Sequence, residues 1–222
     1  MITLHHVPQS RSMRVLWLLG ELDLPFQVVS HGLDKGLRDP EYLTVSPAGR
    51  VPALEIDGER MFESLAIVQY LCERYAEAPL YQGPGDIDRM AWLVWVQFAE
   101  TISQHTSSLA QQHIALREDH MRSPTVMRIE AKRIENCYAA IEARLSTPVE
   151  NRDYLLTGGF SAADVCTGQA VYMARHFVST DAFPEVSAWY ERITERPAFQ
   201  ASLPQGEVMN VFERDFYPPW DS

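Results

Sequence analysis

Residues suited to binding a small charged ligand are concentrated in one stretch, SPAGRVPALEIDGERMFESLAIVQY, which runs from Ser46 to Tyr70. Ser64 precedes apolar residues at helical spacing and is predicted to be an N-cap. The free N–H groups of such a helix start can hold a carboxylate. Glu63, next to it, can bind the ammonium group of the same ligand. The pair therefore predicts a site for an amino acid or the end of a small peptide.

Val51 and Pro52 stand just before a predicted strand, Ala53 to Ile56. Proline cannot donate to a sheet ladder, so we expect an edge, a turn or a cis bond at this position. A cis bond would turn the N–H and C=O of Val51 outward, where an extended peptide can pair as an added strand. Asp57-Gly58 then predicts a tight hairpin turn.

This stretch lies in the first of two regions that differ in their predicted secondary structure. Strand and helix patterns alternate over residues 1–78 in the order β-α-β-α-β-β-α, which predicts a small mixed four-stranded sheet with helices on its faces. Prolines and glycines mark a linker at 79–87, and only helical patterns follow over 88–222. In that second domain, Ser161 and Asp164 predict a capping box that opens a buried central helix.

The run PAGRVPAL, the Asp57-Gly58 hairpin and the run ESLAIVQYL resemble the glutathione site of the cytosolic glutathione transferases. The resemblance extends over essentially the whole chain, in the order and spacing of its elements. It implies an α/β thioredoxin-like domain followed by an all-α domain. It also implies a homodimer, formed through the helix after Ser64 and the long helix after Arg89.

The resemblance implies a serine that keeps the glutathione thiol ionised. An unperturbed thiol has a pKa of about 8.5, which a hydroxyl donor beside a helix N-terminus can lower. Ser10 lies in a similar P-x-S stretch, where the first strand meets the first helix, and Ser12 is its nearest rival. A plain N-cap role explains either serine as well. His5 and His6 occupy the stretch where other members carry a tyrosine, and no cysteine lies nearby.

Other site residues follow from the same resemblance. Arg50 matches a basic position that holds the glycyl carboxylate, and Lys35 and Arg38 can assist it unless they are simply solvated loop charges. Glu100 resembles an acidic position that reaches across the dimer to the glutamyl ammonium. The electrophile is expected to meet the thiolate in a cleft between the domains. Four residues are predicted to line that cleft, although core packing explains the aromatic ones equally well: Trp95, Phe98, Ile102 and His105.

The function expected on this basis is conjugation of glutathione to hydrophobic electrophiles. Two alternatives stay open: a glutathione-dependent peroxidase or disulfide reductase that uses the same site, and a non-catalytic binding or scaffold protein with the same fold. A transfer assay and a glutathione-binding measurement discriminate between them.

Composition excludes several other classes. The 222 residues carry a formal net charge of −11 without a basic stripe, so nucleic acid and anionic membranes are poor partners. No apolar run approaches the roughly 18 residues of a membrane span, and no secretion signal is recognised. Three widely spaced cysteines predict neither a disulfide framework nor a metal site, which fits a cytoplasmic protein. His5 and His6 point to opposite faces of a strand, so no shared metal is expected.

Overall fold

The computed structural model describes residues 1–32, 35–77, 79–146, 152–205 and 211–218, and for Lys35 the backbone alone. The first part of the chain is a small α/β domain, as the sequence predicts. Its elements are β1 (Ile2–His6), α1 (Ser12–Glu21), β2 (Phe26–Ser30), a 3-10 helix (Lys35–Arg38), α2 (Pro40–Leu43), β3 (Ala53–Ile56), β4 (Glu59–Phe62) and α3 (Ser64–Tyr75).

The sheet has the strand order β2-β1-β3-β4, with β1 parallel to β2 and antiparallel to β3. The register pairs His5 with Ala53, so the carboxyl end of β1 lies beside the amino end of β3. The loop after β1 and the loop before β3 therefore meet at one edge of the sheet. Ser10 lies in the first loop, and Val51 and Pro52 lie in the second.

All regular elements in the described residues of the second part of the chain are helices, which confirms the predicted fold class. Its elements are α4 (Arg89–Ala110), a π-helical turn (Gln111–Ala115), a 3-10 helix (Asp119–Met121), α5 (Pro124–Leu145), α6 (Ala162–Ala174), α7 (Pro184–Thr194) and α8 (Pro197–Ser202). None of the helices in the described ranges combines the length and apolar character needed to cross a membrane.

Helix α6 is the buried centre of this domain, and its predicted capping box is confirmed. The Asp164 carboxylate accepts the backbone N–H of Ser161 at 2.9 Å, and the Ser161 hydroxyl accepts the N–H of Ala163 at 3.2 Å. Asp164 also accepts the Trp189 indole N–H at 2.9 Å, which ties α6 to α7. These bonds satisfy donors that would otherwise be buried without partners.

The two domains share one apolar core through α1. Trp17 is fully buried, and its ring packs edge-on against Phe199 of α8 with centroids 4.9 Å apart. A Cβ on Gly168 of α6 would lie 3.3 Å from the same indole, so helix α6 approaches α1 closely. This packing holds the amino end of α1, where Ser10 lies, against the helical domain.

Candidate functional site

Ser10 lines a cleft between the domains. Ser10 is half-buried, and its Oγ donates to the Val7 carbonyl at 2.8 Å while it accepts the Ser12 backbone N–H at 3.2 Å. It lines a cavity of about 700 Å³ together with its neighbours Gln9 and Arg11. A hydroxyl in this position can donate to an anion in the cleft.

Ser12, the rival candidate, is fully buried. Its Oγ lies 2.8 Å from Nδ1 of His6 and accepts the backbone N–H of Val7 at 3.1 Å. Burial lowers the pKa of His6 to about 4, so its imidazole is neutral at pH 7. Ser12 is therefore enclosed by the protein, and of the two serines only Ser10 faces a cavity.

The loop before β3 is held in a specific shape beside Ser10. The Val51-Pro52 peptide bond is cis, one of the options considered from the sequence. The Tyr42 hydroxyl donates to the Arg50 carbonyl at 2.8 Å, and Gly49 has a left-handed backbone with φ +60°. Arg50 and Val51 of this loop line both cavities.

A second, smaller cavity of about 70 Å³ lies at the start of α3. The prediction that Ser64 is the N-cap is wrong, because Glu63 occupies that position with φ +74° and Ser64 is the first helical residue. The Ser64 side chain does not cap the helix and instead accepts a hydrogen bond from Arg14. Both Glu63 and Ser64 line the small cavity, as do Arg50, Val51 and Pro52.

Arg14 is a buried charge that sequence reasoning missed. Its guanidinium donates to Ser64 at 3.2 Å, to Ser103 of α4 at 2.9 Å and to Gln169 of α6 at 3.0 Å. Burial lowers its pKa, and nearby Glu100 opposes that shift. The available signal was one arginine within the apolar face of α1, where a charge requires partners from other elements.

Glu100 lines the small cavity of its own chain. Its carboxylate lies 3.0 Å from the Arg11 guanidinium and 3.5 Å from that of Arg14. The sequence prediction assigned Glu100 to the neighbouring subunit's site in a dimer. Within the chain, it balances the two arginines beside the start of α3.

The basic residues predicted after β2 differ in their placement. Arg38 is exposed and lines the larger cleft. The side chain of Lys35 lies outside the described part of the chain. Among the described residues, the lining of the larger cleft includes three arginines, Arg11, Arg38 and Arg50, and no carboxylate.

The four residues predicted to line the electrophile cleft lie elsewhere in the structure. Trp95 and Ile102 are buried in the core, where the Trp95 ring packs edge-on against Phe98. The His105 Nδ1 pairs with the Glu130 carboxylate of α5 at 2.7 Å. Position along the helix explains the difference, because only the carboxyl-terminal end of α4, at Thr106, Ser107 and Ala110, reaches the cleft.

The remaining wall of the cleft comes from distant parts of the sequence. Met173 of α6 and two residues near the carboxyl end, Val211 and Phe212, also line the cleft. The Phe212 backbone N–H donates to the Gln9 side chain at 3.0 Å, and its ring stacks on His176 with centroids 4.1 Å apart. The tail therefore packs beside Ser10, an arrangement with no periodic signal in the sequence.

The cysteines and carboxylates of the described residues supply no second centre. Cys72, Cys137 and Cys166 are buried, and burial raises the pKa of Cys137 to about 11 and of Cys166 to about 12. Within the described ranges no group of three His, Cys, Asp or Glu side chains is arranged to hold a metal. The chemistry that the geometry supports is therefore a hydroxyl and arginines acting on an anion beside a partly apolar cleft.

Comparison with known proteins gives the same picture for both halves of the chain. A family described as Glutathione S-transferase, N-terminal domain, matches residues 4–79, and one described as Glutathione S-transferase, C-terminal domain, matches residues 110–197. A Glutathione S-transferase 3 of Schizosaccharomyces pombe is 24% identical over 99% of this chain and 96% of its own. A Glutathione S-transferase-like protein of Aspergillus aculeatus is 30% identical over 70% of this chain and 74% of its own.

A solved structure agrees with these relatives. The glutathione transferase URE2P8 of Phanerochaete chrysosporium, crystallised with oxidized glutathione, superposes with a TM-score of 0.80 at 25% identity. The match covers 90% of this chain and 92% of that one. The chain belongs to the cytosolic glutathione transferase superfamily.

Proposed function

We propose that this protein is an enzyme that conjugates glutathione to hydrophobic electrophiles. The observation that carries the proposal is the position of Ser10, which lines the larger cleft. That cleft shares Arg11, Arg50 and Val51 with the small polar cavity. A tripeptide seated in the small cavity would extend its sulfur toward Ser10, with room beside it for a second substrate.

The charges of the small cavity suit glutathione, which carries two carboxylates and one ammonium group. We assign the glutamyl carboxylate to Ser64 and the N–H groups at the start of α3, with the positive charge of Arg14 behind them. Glu63 and Glu100 supply acceptors for the ammonium group. We assign the glycyl carboxylate to Arg50, with Arg38 and Lys35 assisting. The ligand backbone pairs with Val51.

In the proposed mechanism the protein stabilises the thiolate. Lowering the thiol pKa by about 2 units from about 8.5 makes the thiolate the main form at pH 7. The Ser10 hydroxyl donates to the sulfur, and the arginine-lined cleft favours the negative charge although the chain as a whole is acidic. The thiolate then attacks an electrophilic carbon, a carbon–sulfur bond forms, and the leaving group departs with its electron pair.

The test compares the wild type with Ser10→Ala on a chlorinated nitroaromatic substrate. We expect Ser10→Ala to lower kcat/KM at least about tenfold while the calorimetric Kd for glutathione changes little. Ser108→Ala is the matched control, since that hydroxyl bonds to the Gln104 carbonyl on α4 and lines neither cavity.

Each other outcome has a clear meaning. If the protein does not bind glutathione at millimolar concentration, the proposed function is wrong. If turnover is unchanged in Ser10→Ala, Ser10 does not activate the thiol. Glutathione binding without turnover of any electrophile by the wild type would favour a carrier or scaffold role instead.

We also propose a cytoplasmic homodimer. Large apolar side chains of β4 and α4 are exposed on the single chain, namely Phe62, Met90 and Val94. Large apolar side chains left exposed on a single chain are typical of an interface when a partner covers them. Sedimentation of particles of only 25.3 kDa, the mass of one chain, would contradict the dimer. The three cysteines of the chain, which form no disulfide, fit a reducing compartment.

A further inference from the structure

The Ser10 hydroxyl stands at the outer end of a chain of three side chains. Its Oγ lies 2.7 Å from Ser12 Oγ, which lies 2.8 Å from Nδ1 of His6. Ser12 and His6 are buried, so only Ser10 reaches the cleft. We propose that Ser12 and His6 are positioning residues that aim the Ser10 hydrogen at the glutathione sulfur, an inference that rests on the proposed function.

The direction of these hydrogen bonds depends on the number of hydrogens and lone pairs at Ser12. A serine hydroxyl has one hydrogen to donate and two lone pairs that accept. Ser12 Oγ already accepts the Val7 backbone N–H at 3.1 Å. When His6 carries its proton on Nδ1, that N–H takes the second lone pair. Ser10 then cannot donate inward to Ser12, and the Ser12 hydrogen is directed to Ser10 Oγ or to the Val7 carbonyl.

Ser10 Oγ is in this arrangement surrounded by donors. It accepts the Ser12 backbone N–H at 3.2 Å and can accept the Ser12 hydroxyl at 2.7 Å. The acceptor within reach of its own hydrogen is the neutral Val7 carbonyl, at 2.8 Å. A hydrogen bond to an anion is roughly twice as strong as one to a neutral group, so a thiolate in the cleft takes this hydrogen.

The opposite tautomer of His6 reverses the direction of the hydrogen bonds between His6, Ser12 and Ser10. With the proton on Nε2, Nδ1 accepts the Ser12 hydrogen, a lone pair of Ser12 is freed, and Ser10 can donate inward. The direction of the Ser10 hydroxyl thus depends on a ring in the core. Because burial keeps the pKa of His6 near 4, the ring is neutral at pH 7 and does not take up the thiol proton.

The test measures the pKa of the glutathione thiol in the complex, from the ultraviolet absorbance of the thiolate across pH. Ser12→Ala and His6→Leu should raise that pKa by about one unit and lower kcat/KM about tenfold, with little change in the Kd for glutathione. His6→Asn should restore most of both values, because its amide N–H lies near the position of Nδ1. Ser12→Thr keeps the hydroxyl and should keep the thiol pKa of the wild-type complex.

The outcomes separate this inference from the proposed function. An unchanged thiol pKa in Ser12→Ala and His6→Leu, with glutathione still bound, would overturn the positioning role of Ser12 and His6. The proposed function would be unaffected. No glutathione binding by the wild type would overturn both. Equal changes in thiol pKa and kcat/KM in His6→Asn and His6→Leu would also overturn this positioning role, since packing of the ring would then explain the effect. If Ser12→Ala does not fold, as thermal unfolding would reveal, the His6 pair decides alone.

Discussion

The Arg14 guanidinium donates to the Ser64 hydroxyl at 3.2 Å, which joins α1 to the start of α3. The same guanidinium donates to Ser103 of α4 and Gln169 of α6. One fully buried side chain therefore ties the proposed glutamyl end of the ligand site to both domains. The ligand site and the domain interface share this contact, so losing it should affect both ligand binding and the stability of the fold.

Removing this charge should weaken both stability and binding. Arg14→Met leaves the side chains of Ser103 and Gln169 buried without their donor, and we expect the free energy of unfolding to fall by about 2–4 kcal/mol. The Kd for glutathione should rise several-fold, because Ser64 loses its partner. Arg60→Met is the control: that guanidinium is half-exposed beside Glu55, and its loss should cost under about 1 kcal/mol. Equal losses of stability in denaturant titrations would contradict the role of Arg14.

The shape of the loop before β3 should depend on Gly49. Its φ is +60°, and an added Cβ would lie 2.7 Å from the Leu37 carbonyl oxygen. Gly49→Ala should therefore displace Arg50 and raise the Kd for glutathione several-fold. Gly58→Ala is a matched control, since Gly58 has φ +86° but nothing within 4 Å of its Cβ position. Both variants carry backbone strain of about 1–2 kcal/mol, so calorimetry should show weakened binding only in Gly49→Ala.

The tail should influence the second substrate more than glutathione. Phe212 lines the larger cleft and stacks on His176. Phe212→Ala should widen the cleft and raise KM for a small aromatic electrophile several-fold, with the Kd for glutathione nearly constant. Phe216→Ala, at an exposed position of the same tail, should leave both values unchanged. A parallel rise in the glutathione Kd would instead place Phe212 in the first ligand's site.

Stability should fall as acid is added, in part because of His6. Its pKa drops from the ordinary 6.5 to about 4 on folding, so below pH 6.5 the unfolded chain binds a proton that the folded chain does not. The contribution is fully present above pH 6.5 and is lost progressively toward pH 4, to a total of up to about 3 kcal/mol. Denaturant titrations across this range should show a shallower decline in His6→Leu. Parallel curves for the two proteins would contradict the assignment.

Local signals in the sequence were sufficient for the elements and for part of the site. Some features depend only on residues that are close together in the sequence: the Ser161 and Asp164 capping box, the Asp57-Gly58 turn and the proline at Pro52. Backbone geometry restricts such neighbours directly. The register of β1 against β3 then follows from the sheet and brings Ser10 beside Val51.

The sequence by itself determined the mixed sheet, the helical second domain and the presence of serines where β1 meets α1. Only the tertiary structure decided that Ser10 faces the cleft while Ser12 is enclosed against His6. It also decided that Arg14 finds partners on α3, α4 and α6, and that Phe212 rather than Trp95 lines the larger cleft. The physical reason is that exposure and long-range contacts depend on how helices rotate as they pack, whereas the sequence pattern reports only which face of each helix is apolar.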